Sequence, residues 1–289
     1  MRAIPIVVDY SLRESLRRRV FLVVLVLTAA FLGLYALGTK EAFDIVESQD
    51  LDGSVDDPFS VDERELTGAT MFGLSMFGTL FLGAVLAAFL TLATVRGDAE
   101  RGLLQPLVVR PIGRSALLLG RFVAAALVCA VYVALVYAGA LLITRQIGAW
   151  TPDRILVPVV ELAAATTVIA ALSLLGSVFL SATANGIAVF MAFGAGLVAG
   201  LLGQIGEALG SDTLMDVARA ASWILPFEAL YQDGLDAITA DTSGFTEAAL
   251  SLGPFGGAQA AGAFLWPWTL AYLVLVGGAT LAAFARKDL

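Results

Sequence analysis

Residues 96–121 read RGDAERGLLQPLVVRPIGRSALLLGR. Five arginines (Arg96, Arg101, Arg110, Arg114 and Arg121) and two acids (Asp98 and Glu100) interrupt a chain that is otherwise mostly oily. Apolar runs of membrane length flank the stretch, at 71–95 and 117–143. Inside it, Leu103, Leu104, Leu107 and Val108 make a short apolar run that Pro111 closes. A charged, structured hairpin between two membrane-length runs is more than a connector, and it sets how the rest of the chain is read.

Composition agrees with a membrane protein. The 289 residues are 59% hydrophobic and 15% charged, with a mean hydropathy of +0.88. Soluble domains average near half apolar and a quarter charged. Cys129, the single cysteine, sits in an apolar run, so there is no disulfide framework. The absence of histidine removes His-based acid–base chemistry, His-dependent triads and His metal ligation. A net charge of −8 argues against a nucleic-acid partner. No G-x-x-x-x-G-K-[ST] phosphate loop is present, and both lysines, Lys40 and Lys287, lie outside any such pattern. No catalytic residue, metal set or cofactor is therefore expected in this chain. Met71 and Met76 read as packing. The acidic, arginine-rich composition suits a high-salt habitat.

Six apolar spans are expected, at about 20–37, 71–95, 117–143, 157–180, 187–206 and 264–284, each long enough for a ~30 Å hydrocarbon core. Before the first, residues 4–19 place Val8, Leu12 and Leu16 on one helical face, which suits a helix lying in the interface. A frayed tail and a twin-arginine signal at Arg18-Arg19 are the other readings. Residues 39–70 form an acidic outer loop. Its Asp50-x-Asp52-Gly53 lacks the spaced ligands of a calcium loop. Span four carries Glu161 near its outer end, where it is expected to reach the interface. Residues 181–186 form a tight uncharged turn. Gly196 and Gly200 in span five make a G-x-x-x-G, read as close packing. Residues 207–263 are a second polar region with short helices on the outer side. Trp266 and Trp268 then anchor span six.

Charge sets the orientation. With both termini, the 96–116 hairpin and the 181–186 turn in the cytoplasm, 12 of 17 basic residues lie inside and 20 of 25 acids outside. The positive-inside rule favours that arrangement. The middle of every span lacks ionisable residues, which usually mark ion or proton pathways. Energy for any transport must then enter from outside the chain, and the hairpin is the candidate port. Glu100, Arg101 and Gly102 give a turn at the membrane edge. Leu103, Leu104 and Leu107 form a ridge for a partner's groove, and Arg110 and Arg114 end the element. Insertion of the leucines into the bilayer surface, and lipid phosphates as partners of Arg114 and Arg121, remain open at this point.

These residues carry a resemblance. The segment from Leu16 to Phe21 (LRRRVF) resembles the elbow helix of type-2 ATP-binding-cassette (ABC) permeases. The segments ERGLLQPLVVRPIGR (100–114) and LLGR (118–121) resemble that family's E-x-G-x-L…P-x-x-R…L-L-x-G-K/R signature. The ending FARKDL (284–289) is similar to its F-x-x-[RK]-D-[LF] terminus, and Pro226 with Tyr231 to a proline–tyrosine element before the last span. Within the family the chain looks most like the branch named for multicopper-enzyme maturation, as in nitrous oxide reductase assembly. No copper ligands accompany that likeness.

The resemblance implies one all-α integral membrane permease domain over residues 1–289, with six transmembrane helices, an elbow helix at 4–19 and a cytoplasmic coupling helix at 96–116. It implies a plasma-membrane dimer, homo- or heteromeric, moving a substrate with ATP hydrolysed by a separate cytoplasmic ATPase, which would hold the ATP and magnesium. That ATPase would dock on Glu100, Arg101, Gly102, Leu103, Leu104, Leu107, Arg110 and Arg114. The other function class is a membrane scaffold or sensor whose acidic outer segments bind an extracytoplasmic partner without transport. An intramembrane enzyme is a third, against which the missing histidine counts.

Overall fold

The computed structural model describes residues 3–17, 19–50, 62–92, 113–242, 246 and 260–286. Among the described residues every regular element is an α-helix: α1 (Ala3–Arg17), α2 (Arg19–Asp50), α3 (Glu63–Thr91), α4 (Arg114–Gly148), α5 (Leu156–Phe179), α6 (Ala182–Leu209), α7 (Asp212–Ile224), α8 (Pro226–Asp236) and α9 (Leu265–Ala285). Six of them, α2 to α6 and α9, are long and apolar enough to cross a membrane. Lipid offers no partner for backbone N–H and C=O groups, so each crossing segment satisfies its own as a helix. Buried hydroxyls do the same: Thr79 donates to Ser75 O at 2.7 Å, Thr91 to Ala87 O at 2.7 Å and Thr280 to Val276 O at 2.7 Å.

Helix α5 is the centre of the bundle, packed by α3, α4, α6, α8 and α9. Its buried face alternates small and branched residues, with Ala165, Val168, Ile169 and Ala170 almost fully covered. Small side chains let helices approach closely where no hydrophobic effect drives them together. The core continues through Phe72, Met76 and Leu80 of α3 to Tyr137 of α4, whose ring meets Phe72 edge-on at 5.1 Å. Polar side chains join α2 to α4, where Thr28 pairs with Tyr132 and Tyr35 with Thr144. Tyr132, Tyr137, Thr166 and Ser173 are all buried inside this bundle.

Several boundaries differ from the sequence expectation, for physical reasons. Residues 39–70 are helical at both ends. Helix α2 runs on to Asp50 because Tyr35, Thr39, Phe43 and Val46 keep one face buried while Glu41, Asp44 and Glu47 take other faces. Helix α3 starts at Glu63, capped by Asp62, whose carboxylate accepts from Glu65 N at 2.9 Å. The turn expected at 181–186 shrinks, with α6 already helical from Ala182. Helix α1 packs on α4 through Val7 and Ser11, while Val8 and Leu12 are partly covered. Ile6 and Tyr10 face outward, beside the Asp9–Arg13 ion pair at 3.2 Å. The expected short helices of 207–263 are α7 and α8.

Candidate functional site

Of the residues expected to meet an ATPase, Glu100, Arg101, Gly102, Leu103, Leu104, Leu107 and Arg110 lie outside the described residues. Arg114 is the first residue of α4, directly after the extended Gly113 at its N-cap, and its side chain also lies outside the description. The bundle end that carries this segment is described on either side of it. Leu92 closes α3, with its N–H bonded to Ala88 O at 2.8 Å. Asn185, in the first turn of α6, is 1% exposed and donates Nδ2 both to Leu92 O at 3.3 Å and to Ser173 O of α5 at 2.8 Å. One amide thereby ties the ends of α3, α5 and α6. The contact needs a glycine at 176, because a Cβ there would overlap Asn185 Oδ1. Beside it Leu118, Leu174, Val178 and Phe284 form a small apolar cluster that joins α4, α5 and α9.

The sequence reading missed Asn185. A polar residue in an uncharged turn signals only a turn, and its acceptors are 93 and 12 residues away.

At the opposite end α7 and α8 cap the bundle. Helix α8 begins with Pro226, whose missing N–H costs nothing at a helix start. It buries Phe227, Leu230, Tyr231 and Leu235 against the bundle. The G-x-x-x-G of α6 does serve close packing, and its partner is α8. A Cβ at Gly196 would strike the Phe227 ring, and one at Gly200 would overlap Glu228 Oε1. Helix α8 also covers Glu161, correcting the expectation that this side chain reaches the interface. Glu161 is 1% exposed, lies against Gly234 and Asp233, and leaves Oε2 without a hydrogen-bond partner. Carboxylates tie down the loops at this end: Trp150 donates Nε1 to Glu65 at 2.6 Å, Asp241 N–H donates to Asp153 at 2.8 Å, and Ala261 N–H to Asp233 at 2.6 Å.

Glu228 is 5% exposed and accepts from Gln232 Nε2 at 2.7 Å. Burial pushes its carboxyl up to about 7, against the opposing effect of the Gln232 hydrogen bond. Burial likewise raises Asp236, helped by the charge of Asp233 and opposed by Arg154. The folded-state value for Glu228 exceeds that of an exposed glutamate. Its contribution to stability is therefore fully present below about pH 4.5 and is lost as pH rises through about 7. The loss is on the order of 3 kcal/mol. Glu228→Gln is expected to weaken that dependence, leaving the parts contributed by Asp236 and the other carboxylates that α8 holds. Hydrogen exchange of the α8 amides at about pH 5 and pH 8 measures it. Equal pH dependence in the variant and the natural protein would contradict it.

Six membrane-length helices, with α5 tightly packed at their centre, define a polytopic membrane protein. A family model described as ABC-2 family transporter protein matches residues 6–289, and the chain belongs to that family. It is therefore a membrane subunit of an ABC transporter, the kind that works with a cytoplasmic ATPase and dimerises, and not the ATP-hydrolysing unit. A comparison with curated proteins finds no match.

Proposed function

We propose that this chain is the permease half of an exporter or importer whose cytoplasmic ATPase docks on the 96–116 segment. The observation that carries the reading is the pairing of that segment's signature with a family match over almost the whole chain. Glu100, Arg101 and Arg110 frame a contact ridge of Leu103, Leu104 and Leu107, and both termini lie in the cytoplasm with this segment, as the basic residues favour. Helix α1 serves as the elbow. Movement of the docked segment passes into α3 and α4, which flank it, and through Asn185 into α6.

A second permease copy meets the face shared by α3 and α6. Ile187, Met191, Val198, Leu201 and Ile205 line one outward stripe of α6, and Phe89 of α3 joins Phe190 and Met191 at an open apolar groove.

Charge reversal tests the docking site. In the complex with its ATPase, Glu100→Arg or Arg101→Glu is expected to uncouple ATP hydrolysis from transport, cutting transport per ATP about ten-fold for a loss of roughly 1–2 kcal/mol of coupling. An unchanged ratio of transport to hydrolysis in both variants would overturn the assignment.

A further inference from the structure

A cavity of about 390 Å³ opens between α6, α7, α8 and the start of α9. Pockets that take small molecules span roughly 300–1,000 Å³. The energy path proposed above makes no use of it. Its polar lining holds Arg219, Ser222, Glu228 and Gln232, and several of their donors are spent within the lining or on a neighbour. Gln232 spends Nε2 on Glu228, and its own Oε1 is buried without a partner. Ser222 donates its hydroxyl to Arg219 O at 2.8 Å. The Arg219 guanidinium pairs with Asp216 at 3.0 Å, in an exposed pair on α7. Among the described residues no ion pair reaches Glu228, so a buried carboxylate lines the cavity with no cation of the chain against it.

The rest of the lining is apolar and aromatic. Trp223 and Trp268 meet edge-to-face at 5.1 Å, and Trp268 donates its indole N–H to Trp223 O at 2.9 Å. With that N–H committed, Trp268 offers the cavity ring surface rather than a donor. Aromatic faces attract cations as well as apolar groups. Phe264 adds to the same side. Gly200 keeps the α6 wall close enough for Glu228 to tuck in.

We propose that this cavity binds an amphipathic ammonium compound, with the protonated amine against Glu228 and Gln232 and the apolar body against Trp223, Trp268 and Phe264. The ammonium supplies a positive charge and N–H donors at Glu228 and Gln232 Oε1, whereas Arg219, the cation among the lining residues, is paired with Asp216. The site stands on the geometry of α6 to α9 and goes beyond the ATPase-docking reading.

The test uses the purified full chain in a non-ionic maltoside detergent, without any ATPase. Calorimetric titration compares phenylbutylamine with its neutral twin, phenylbutanol. The amine is expected to bind saturably and about ten-fold more tightly than the alcohol, the worth of one charge-assisted hydrogen bond. Glu228→Gln is expected to abolish that preference while leaving alcohol binding in place. Ala218→Leu, on a helix with no buried residue, is expected to weaken both ligands by filling the cavity. It carries the test if Glu228→Gln fails to fold. Equal affinity for amine and alcohol, an undiminished amine preference in Glu228→Gln, undiminished binding in Ala218→Leu, or no saturable amine binding would each overturn the proposal. None of these outcomes bears on the ATPase reading.

Discussion

Deleting residues 103–108 is expected to release the ATPase while the six-helix bundle stays assembled. The described core is built by Phe72, Met76, Leu80, Tyr137, Leu162 and Ile169, all inside the bundle. Its stability rests on side chains outside the deleted residues. The ridge itself holds Leu103, Leu104 and Leu107, the apolar anchors of the proposed contact. Removing a central anchor cluster costs about 4 kcal/mol of binding, roughly a thousand-fold in affinity. Co-purification of the ATPase measures it, with the thermal midpoint of the membrane subunit as the control for folding. Retained ATPase at natural stoichiometry would remove the hairpin as the docking site.

The second large effect is expected at Asn185. Asn185→Ala leaves the Leu92 and Ser173 carbonyls without the amide that joins them. Each lost buried bond costs on the order of 1–3 kcal/mol. Asn185→Asp is expected to be worse, because a carboxylate has no N–H to give and carries a charge into a site that is 1% exposed. A merely structural role would lower the thermal midpoint and scale transport and hydrolysis together. A role in transmission lowers transport per ATP hydrolysed, about ten-fold for each 1.4 kcal/mol of lost coupling. Measuring both activities in reconstituted vesicles separates the two. A fixed ratio in Asn185→Ala would show that α3 and α6 are not coupled through this amide.

The long helices were legible in the sequence because hydropathy integrates over some twenty residues and tolerates local exceptions. The all-helical fold followed from the same signal. Polar ends were not legible. Glu41, Asp44 and Glu47 mark a loop by composition, yet Phe43 and Val46 keep α2 helical by burying one face on the bundle. The packing of α1 on α4 through Val7 and Ser11 was not legible either, since a serine carries no apolar signal.

Glu161 and Glu228 show where local reading ends. Their burial comes from α8 folding back over α5 and α6, a contact that neither residue's neighbours announce. The glycines did carry a signal, because Gly196 and Gly200 were read as close-packing positions. What they pack against, Phe227 and Glu228, is set by tertiary structure. The cavity and the Asn185 clip were invisible for the same reason.

Photo-crosslinking from Leu104 tests the central claim most directly. A photoreactive amino acid is placed at Leu104, and at Leu34, which is 70% exposed on α2, as a lipid-facing comparison. Adducts formed in native membranes are then identified by mass spectrometry. The expected result is a cytoplasmic ATPase with a phosphate-binding loop captured from Leu104 and absent from Leu34. Lipid alone at Leu104, or a protein with no nucleotide site, would contradict the account.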